Sequence, residues 1–280
     1  MTGSLARALR VALQSPGGRA GALLLAGLAL AALVGPWLLP DPSAIPEVLT
    51  GPLAPGAGHL LGTDQLGRDI LARTVSGARV SLVVGVFAVA VAVTLGTVVG
   101  LVAGYAGGTV DAVVMRLVDA ALAIPRLFIL LLLVLVWDRI PVPVLILVIG
   151  ATGWFGTSRL VRGEVLRLRR APFVEAAEAL GASPSRVIFR HLLPNVAGPL
   201  IVTATLGLGD VILLEAGLSF LGLGIQPPTP SWGGMILDGR PMLLTSPWAS
   251  LFPGLAIMIA VLAANLFGDA LQAALDPRTA

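Results

Sequence analysis

Charged residues punctuate this chain rather than alternate along it, and between them lie six long apolar blocks. Residues 20–40 carry no charge and end near Gly35-Pro36-Trp37, with Trp37 placed as an interfacial anchor. Residues 80–104 are likewise uncharged. The third block, about Val113–Trp137, is interrupted near its start by Asp119, Pro125 and Arg126. The fourth runs from Ile140 to about Ser158 and carries Pro141 and Pro143 in its first turn, where proline is tolerated. Asn195–Leu221 and Trp248–Leu271 complete the set. Each block is near the ~20 residues that an α-helix needs to cross a bilayer. The pattern predicts an all-α, polytopic membrane protein with six transmembrane helices. Within the second block Gly96, Gly100 and Gly104 recur every four residues, a stripe that lets another helix approach closely, most simply within the subunit itself.

The connections set the expected topology. Residues 41–79 are rich in Pro and Gly and mix Asp41, Glu47, Asp64 and Asp69 with Arg68, Arg73 and Arg79, as an external loop would. The densest basic stretch, 159–191, sets Arg159, Arg162, Arg167, Arg169, Arg170, Arg186 and Arg190 against Glu164, Glu175 and Glu178, which marks it as cytoplasmic. Arg7, Arg10, Arg19, Arg116 and Arg278 fall on the same side, so both termini are expected inside. The first apolar block is longer than a signal-peptide core and lacks a small-residue cleavage site, so it is read as a retained span.

Composition narrows the function classes. The 280 residues are 56% hydrophobic and 12% charged, with a mean hydropathy of +0.95, well outside soluble globular chains. There is no cysteine, and the two histidines, His59 and His191, are far apart, so neither a metal site nor redox chemistry is expected. All 18 basic residues are arginine. Without lysine the chain cannot form a Walker A loop, so any ATP must be bound by another chain. The net charge of +3 comes from arginines bordering apolar blocks, which points to the lipid bilayer as partner and not to nucleic acid.

One connection carries a distinct signal. Pro172-Phe173-Val174-Glu175-Ala176-Ala177-Glu178-Ala179-Leu180-Gly181 starts after a proline, stops at a glycine and is built of good helix formers. Phe173, Ala176, Ala177 and Leu180 fall on one face of this two-turn helix. Ser183-Pro184 then reads as an N-cap and first helical residue, opening a second short helix that Pro194 is expected to break before the fifth span. Amphipathicity alone leaves two readings: a protrusion that transmits force to a partner, or a helix resting on lipid headgroups.

Glu175-Ala176-Ala177, three residues, Gly181, then Leu193-Pro194 resembles the EAA loop of permeases of ABC importers, although His191 stands where that family usually has Ile. The stretch Arg190–Asn195 is similar to the peptide/nickel branch. So are His59–Asp69 with Gly77–Leu82, Leu218–Gly224 with Pro230-Ser231-Trp232-Gly233, Asn265, Gly268-Asp269 and the terminal Asp276-Pro277-Arg278. The resemblance implies the second, C-type permease of a dipeptide, oligopeptide or nickel system in the bacterial inner membrane, with the type I importer fold. It implies residues 1–76 as tail, first helix and external loop, 77–272 as the transmembrane domain, and 273–280 as a cytoplasmic tail. It implies that Phe173, Glu175, Ala176, Ala177, Leu180, Gly181, Leu193 and Pro194 form a coupling helix on an ATPase. The implied partners are a homologous permease, two ATPases that bind ATP and Mg, and an external solute-binding protein.

For the solute path or its gating, the polar residues inside spans are the candidates: Asp119, Asp210, Glu215 and Asn265. Each has a structural alternative: a place at the cytoplasmic interface for Asp119, pairing with arginine or backbone donors for Asp210 and Glu215, and an interhelical hydrogen bond for Asn265. An ATP-independent secondary transporter or channel is the rival reading, though no pair of repeated broken helices is evident. An intramembrane protease is disfavoured because Gly217-Leu218-Ser219-Phe220 lacks a second glycine and no histidine lies in another span.

Overall fold

The structure, a computed structural model, describes residues 2–46, 51–56 and 58–275. Glu47 and the terminal Asp276-Pro277-Arg278 lie outside the described residues. Among the described residues twelve α-helices follow in order: α1 (Thr2–Gln14), α2 (Pro16–Leu38), α3 (Ile70–Ala106), α4 (Gly108–Leu122), α5 (Arg126–Val134), α6 (Val142–Ala151), α7 (Trp154–Leu168), α8 (Pro172–Ala179), α9 (Pro184–Arg186), α10 (Leu193–Phe220), α11 (Trp232–Gly239) and α12 (Trp248–Leu275). A π-helical turn, Val187–Leu192, joins α9 to α10.

Among the described residues four helices are long and apolar enough to span a membrane: α2, α3, the continuous α9–α10 rod (Pro184–Phe220) and α12. Two bent pairs bring the set to as many as six. The third predicted span is broken: α4 and α5 meet at 81° around Ala123–Pro125. Pro125 caps α5 and, lacking an N–H, cannot extend α4. The fourth bends by 43° between α6 and α7 and does not end at Ser158. It runs on to Leu168 because its basic residues find partners there, Arg159 with Asp119 and Arg162 with Asp111.

The second span also differs from expectation. Its helix begins at Ile70, ten residues before the uncharged stretch, where Asp69 accepts a hydrogen bond from the Ala72 N–H at 2.8 Å as N-cap. Arg73 in its first turn is buried, and its charge is met by Asp64 and Asp238. Further along α3, the glycine stripe is filled by α7. A Cβ on Gly100 would lie 2.6 Å from the Ser158 carbonyl oxygen, and one on Gly104 would lie 2.9 Å from Val165. The stripe therefore serves close packing inside the subunit.

Pro194 does not break the chain before the fifth span. The Leu193 N–H donates to Ile188 O, five residues back, so the wider π turn accommodates the proline ring without interrupting the rod.

At the opposite end of α3 and α10 from α8, the segment before α3 is pinned as a cap. Trp248 Nε1 donates to Thr63 O at 3.1 Å, and Trp232 Nε1 donates to Thr74 O at 2.9 Å. Arg68 Nε meets Asp64 Oδ2 at 2.7 Å, and both Arg68 and Arg73 reach Asp238. Charges this buried are tolerated because each is paired.

Candidate functional site

The α8 corner is built from three local rules. Pro172 opens α8 at a position where its missing N–H costs nothing. Gly181, at φ +78°, closes it: its N–H bonds Glu178 O at 2.9 Å, and the Ala182 N–H bonds Ala177 O at 3.0 Å. This paired arrangement satisfies the last carbonyls and needs a residue at ease with positive φ. Ser183 then caps the next helix, accepting from the Arg186 N–H at 3.4 Å.

Apolar burial roots the corner. Val174 is fully buried in a cluster with Val161, Val165, Val187, Leu192 and Val196. Arg169 donates to Tyr105 O at 2.8 Å and stands 5.1 Å over the Tyr105 ring, while the Tyr105 hydroxyl donates to Glu178 Oε1 at 3.4 Å. The outward side is different. Phe173 is 43% exposed and Leu180 89% exposed. Glu175 and Ala176 are exposed beside them, and among the described residues the Glu175 carboxylate has no hydrogen-bond or ion-pair partner. The result is a helix rooted by apolar burial that leaves an apolar strip and the Glu175 carboxylate uncovered among the described residues.

The predicted corner residues divide accordingly. Phe173, Glu175, Ala176, Leu180 and Gly181 lie on the open surface, and Ala177 is half-buried. Leu193 and Pro194 are half-buried at the root, where the π turn enters α10. Val174, Tyr105 and Arg169 were not singled out from sequence, yet they hold the corner; Val174 had a visible signal, an aliphatic residue off the face shared by Phe173, Ala176, Ala177 and Leu180.

The path candidates do not converge. Asp119 on α4 pairs with Arg159 on α7, and both are half exposed. Asp210 is exposed and makes no hydrogen bond or ion pair among the described residues. Arg126 itself is bound to Ile149 O at 2.6 Å. Asn265 is exposed on α12, beside Gly209 of α10. Glu215 is fully buried. Ser81 donates to one of its carboxylate oxygens at 2.9 Å and Ser219 to the other at 2.7 Å. The Ser81 bond ties α3 to α10, and sequence reasoning did not find this pairing.

Residues 96–280, which include the whole corner, match the family of the binding-protein-dependent transport system inner membrane component. The chain belongs to this family. Relatives of this transport component extend the likeness beyond the matched region. The dipeptide transport system permease protein DppC of Bacillus subtilis is 42% identical over 261 residues, covering 92% of this chain and 81% of that protein. A putative peptide permease protein of Brucella suis is 41% identical over 285 residues, 99% of this chain and 92% of its own length. The oligopeptide transport system permease protein OppC of Bacillus subtilis is 38% identical over 258 residues, 92% and 84% respectively.

Proposed function

We propose that this chain is a channel-forming permease subunit of an ATP-driven importer of the ABC type for dipeptides or oligopeptides. It spans the bacterial inner membrane with both termini and the α8 corner in the cytoplasm. The observation that carries the reading is that corner: a helix fixed by Val174 and capped by Gly181 that leaves Phe173, Ala176, Leu180 and the Glu175 carboxylate open. Family membership and permease relatives named for dipeptide and oligopeptide transport support it.

In this scheme a homologous permease completes the path, and two ATPase subunits hold ATP and Mg, because this chain has no lysine for a Walker A loop. An external binding protein delivers the solute. Closure of the ATPases pushes each corner, and the rod from Pro184 to Phe220 carries that push across the membrane without a flexible joint. The subunits then rock between inward-open and outward-open states as rigid bodies, and no bond in the solute is broken.

Glu175→Lys tests the reading. It reverses the charge on the docking face without touching the buried root, so the purified complex should assemble but lose most ATP-driven peptide uptake. Undiminished uptake would overturn the assignment.

A further inference from the structure

With successive residues about 100° apart around the axis, α1 carries three distinct strips. Ala8 and Ala12 are buried, and Ala12 packs with Val202 of α10 and Leu271 of α12. Leu9 and Leu13 form an apolar strip beside them, 36% and 43% exposed. Arg7, Arg10 and Gln14 occupy the side beyond, all exposed, and Val11 is exposed between Arg7 and the alanines. Among the described residues neither arginine makes a hydrogen bond or ion pair. A helix with an apolar strip next to a basic one is suited to lie in the plane of a membrane surface.

Contacts at the junction with α2 fix this orientation. Ser15 Oγ donates to Ala12 O at 2.7 Å and accepts from the Gly18 N–H at 3.1 Å, which locks the corner between the two helices. A Cβ on Gly18 would lie 2.8 Å from the Ala270 Cβ, and one on Gly21 would lie 2.7 Å from Ala263 O, so the start of α2 rests directly on α12. From there α2 runs on as the least buried of the four long spans among the described residues, with Leu23, Leu30 and Leu33 exposed. α1 meets α10 at Val202, just past Val196 and Leu200 in the root of the α8 corner. It therefore stands where the bundle passes from the α8 end into the apolar spans, the level of the lipid phosphates.

Charge selects the occupant of the open strips. Residues 1–40 hold Arg7, Arg10 and Arg19 and no acidic residue. Unopposed guanidinium groups at phosphate depth are matched by anionic headgroups. We infer that α1 is a membrane-surface helix whose Arg7 and Arg10 bind anionic phospholipid headgroups of the cytoplasmic leaflet, with Leu9 and Leu13 seated among the upper acyl chains. The inference rests on the cytoplasmic placement of the N-terminus proposed above and on no property of the solute.

The chain has no cysteine, so Leu13→Cys gives one site for a bimane fluorophore in the complete importer, with any cysteines of the partner subunits replaced. Vesicles of equimolar phosphatidylcholine and phosphatidylglycerol carry a spin-label quencher on the upper acyl chain of one lipid or the other. Both labelled lipids should quench the fluorophore, phosphatidylglycerol more strongly. Arg7→Gln and Arg10→Gln should each lower the relative binding constant for the anionic lipid about fivefold, while quenching by phosphatidylcholine persists. Both side chains are exposed and unpaired among the described residues, so neither change disturbs the packing of α1. Equal quenching by the two lipids with both arginines in place would overturn headgroup binding. No quenching by either would mean that water or a protein partner covers α1, and would overturn it as well. ATP-driven uptake by the same vesicles keeps the two readings apart: uptake without lipid preference removes only this inference, whereas lipid preference without any uptake removes only the importer reading.

Discussion

Two pairs of acids show what a residue's type conceals and its place reveals. Glu175 and Glu178 are three positions apart on one short helix, yet Glu178 is tied to Tyr105 and Glu175 is free. Asp210 and Glu215 share α10, but a five-residue offset turns them roughly 140° apart around the axis, one exposed and one fully buried. Sequence could nominate both as polar residues in a span; it could not find the hydroxyl of Ser81, which arrives from a position 134 residues before Glu215. The buried cluster yields a stability prediction. Glu215→Ala leaves at least two buried hydroxyls without their acceptor, at about 1–3 kcal/mol each. Glu215→Gln keeps an acceptor and a shape that the serines, which can donate or accept, can satisfy. Thermal unfolding of the detergent-solubilised protein should therefore show a clear loss for alanine and a small one for glutamine; equal losses would contradict the cluster's role.

At the level of elements, local chemistry was legible and long-range accommodation was not. The start and stop of α8 and the Ser183 cap follow from proline, glycine and serine at defined positions, and the structure has them there. Prolines inside apolar stretches were ambiguous: Pro125 marks an 81° break, whereas Pro194 passes through a π turn within a continuous rod. The early start of α3 was hidden because the acids that meet Arg73 lie nine residues before it and far along the chain at Asp238. The glycine stripe was visible, but the helix that fills it was not. Gly100→Leu would drive a side chain into the Ser158 carbonyl and Val161. Overpacking of this kind costs about 1–3 kcal/mol or more, so expression and melting temperature should fall. Leucine at Gly27, where nothing lies within 4 Å of the added Cβ, should change little. Equal behaviour of the two variants would argue against α3–α7 packing as the core contact.

The whole molecule is a bundle with two differently built ends joined by α3 and by the rod ending in α10. At one end paired charges, buried serines and two tryptophan hydrogen bonds lock the cap; at the other the α8 corner stands out with its apolar strip uncovered. This polarity suits a subunit pushed at one end that opens or closes at the other, with stiff helices between. Six apolar blocks made the membrane architecture evident from sequence, whereas the bends that shape four of the helices depend on contacts among distant residues. The central claim is that a separate ATP-hydrolysing protein grips the α8 corner. A single cysteine at Ala176, in a chain otherwise free of cysteine, tests it most directly when the purified complex is treated with a short thiol-to-amine crosslinker in each nucleotide state. A covalent adduct with the ATPase subunit, formed with a yield that changes on ATP binding, is the predicted result; a cysteine that reacts freely with maleimide yet joins no ATPase in any state would contradict the account.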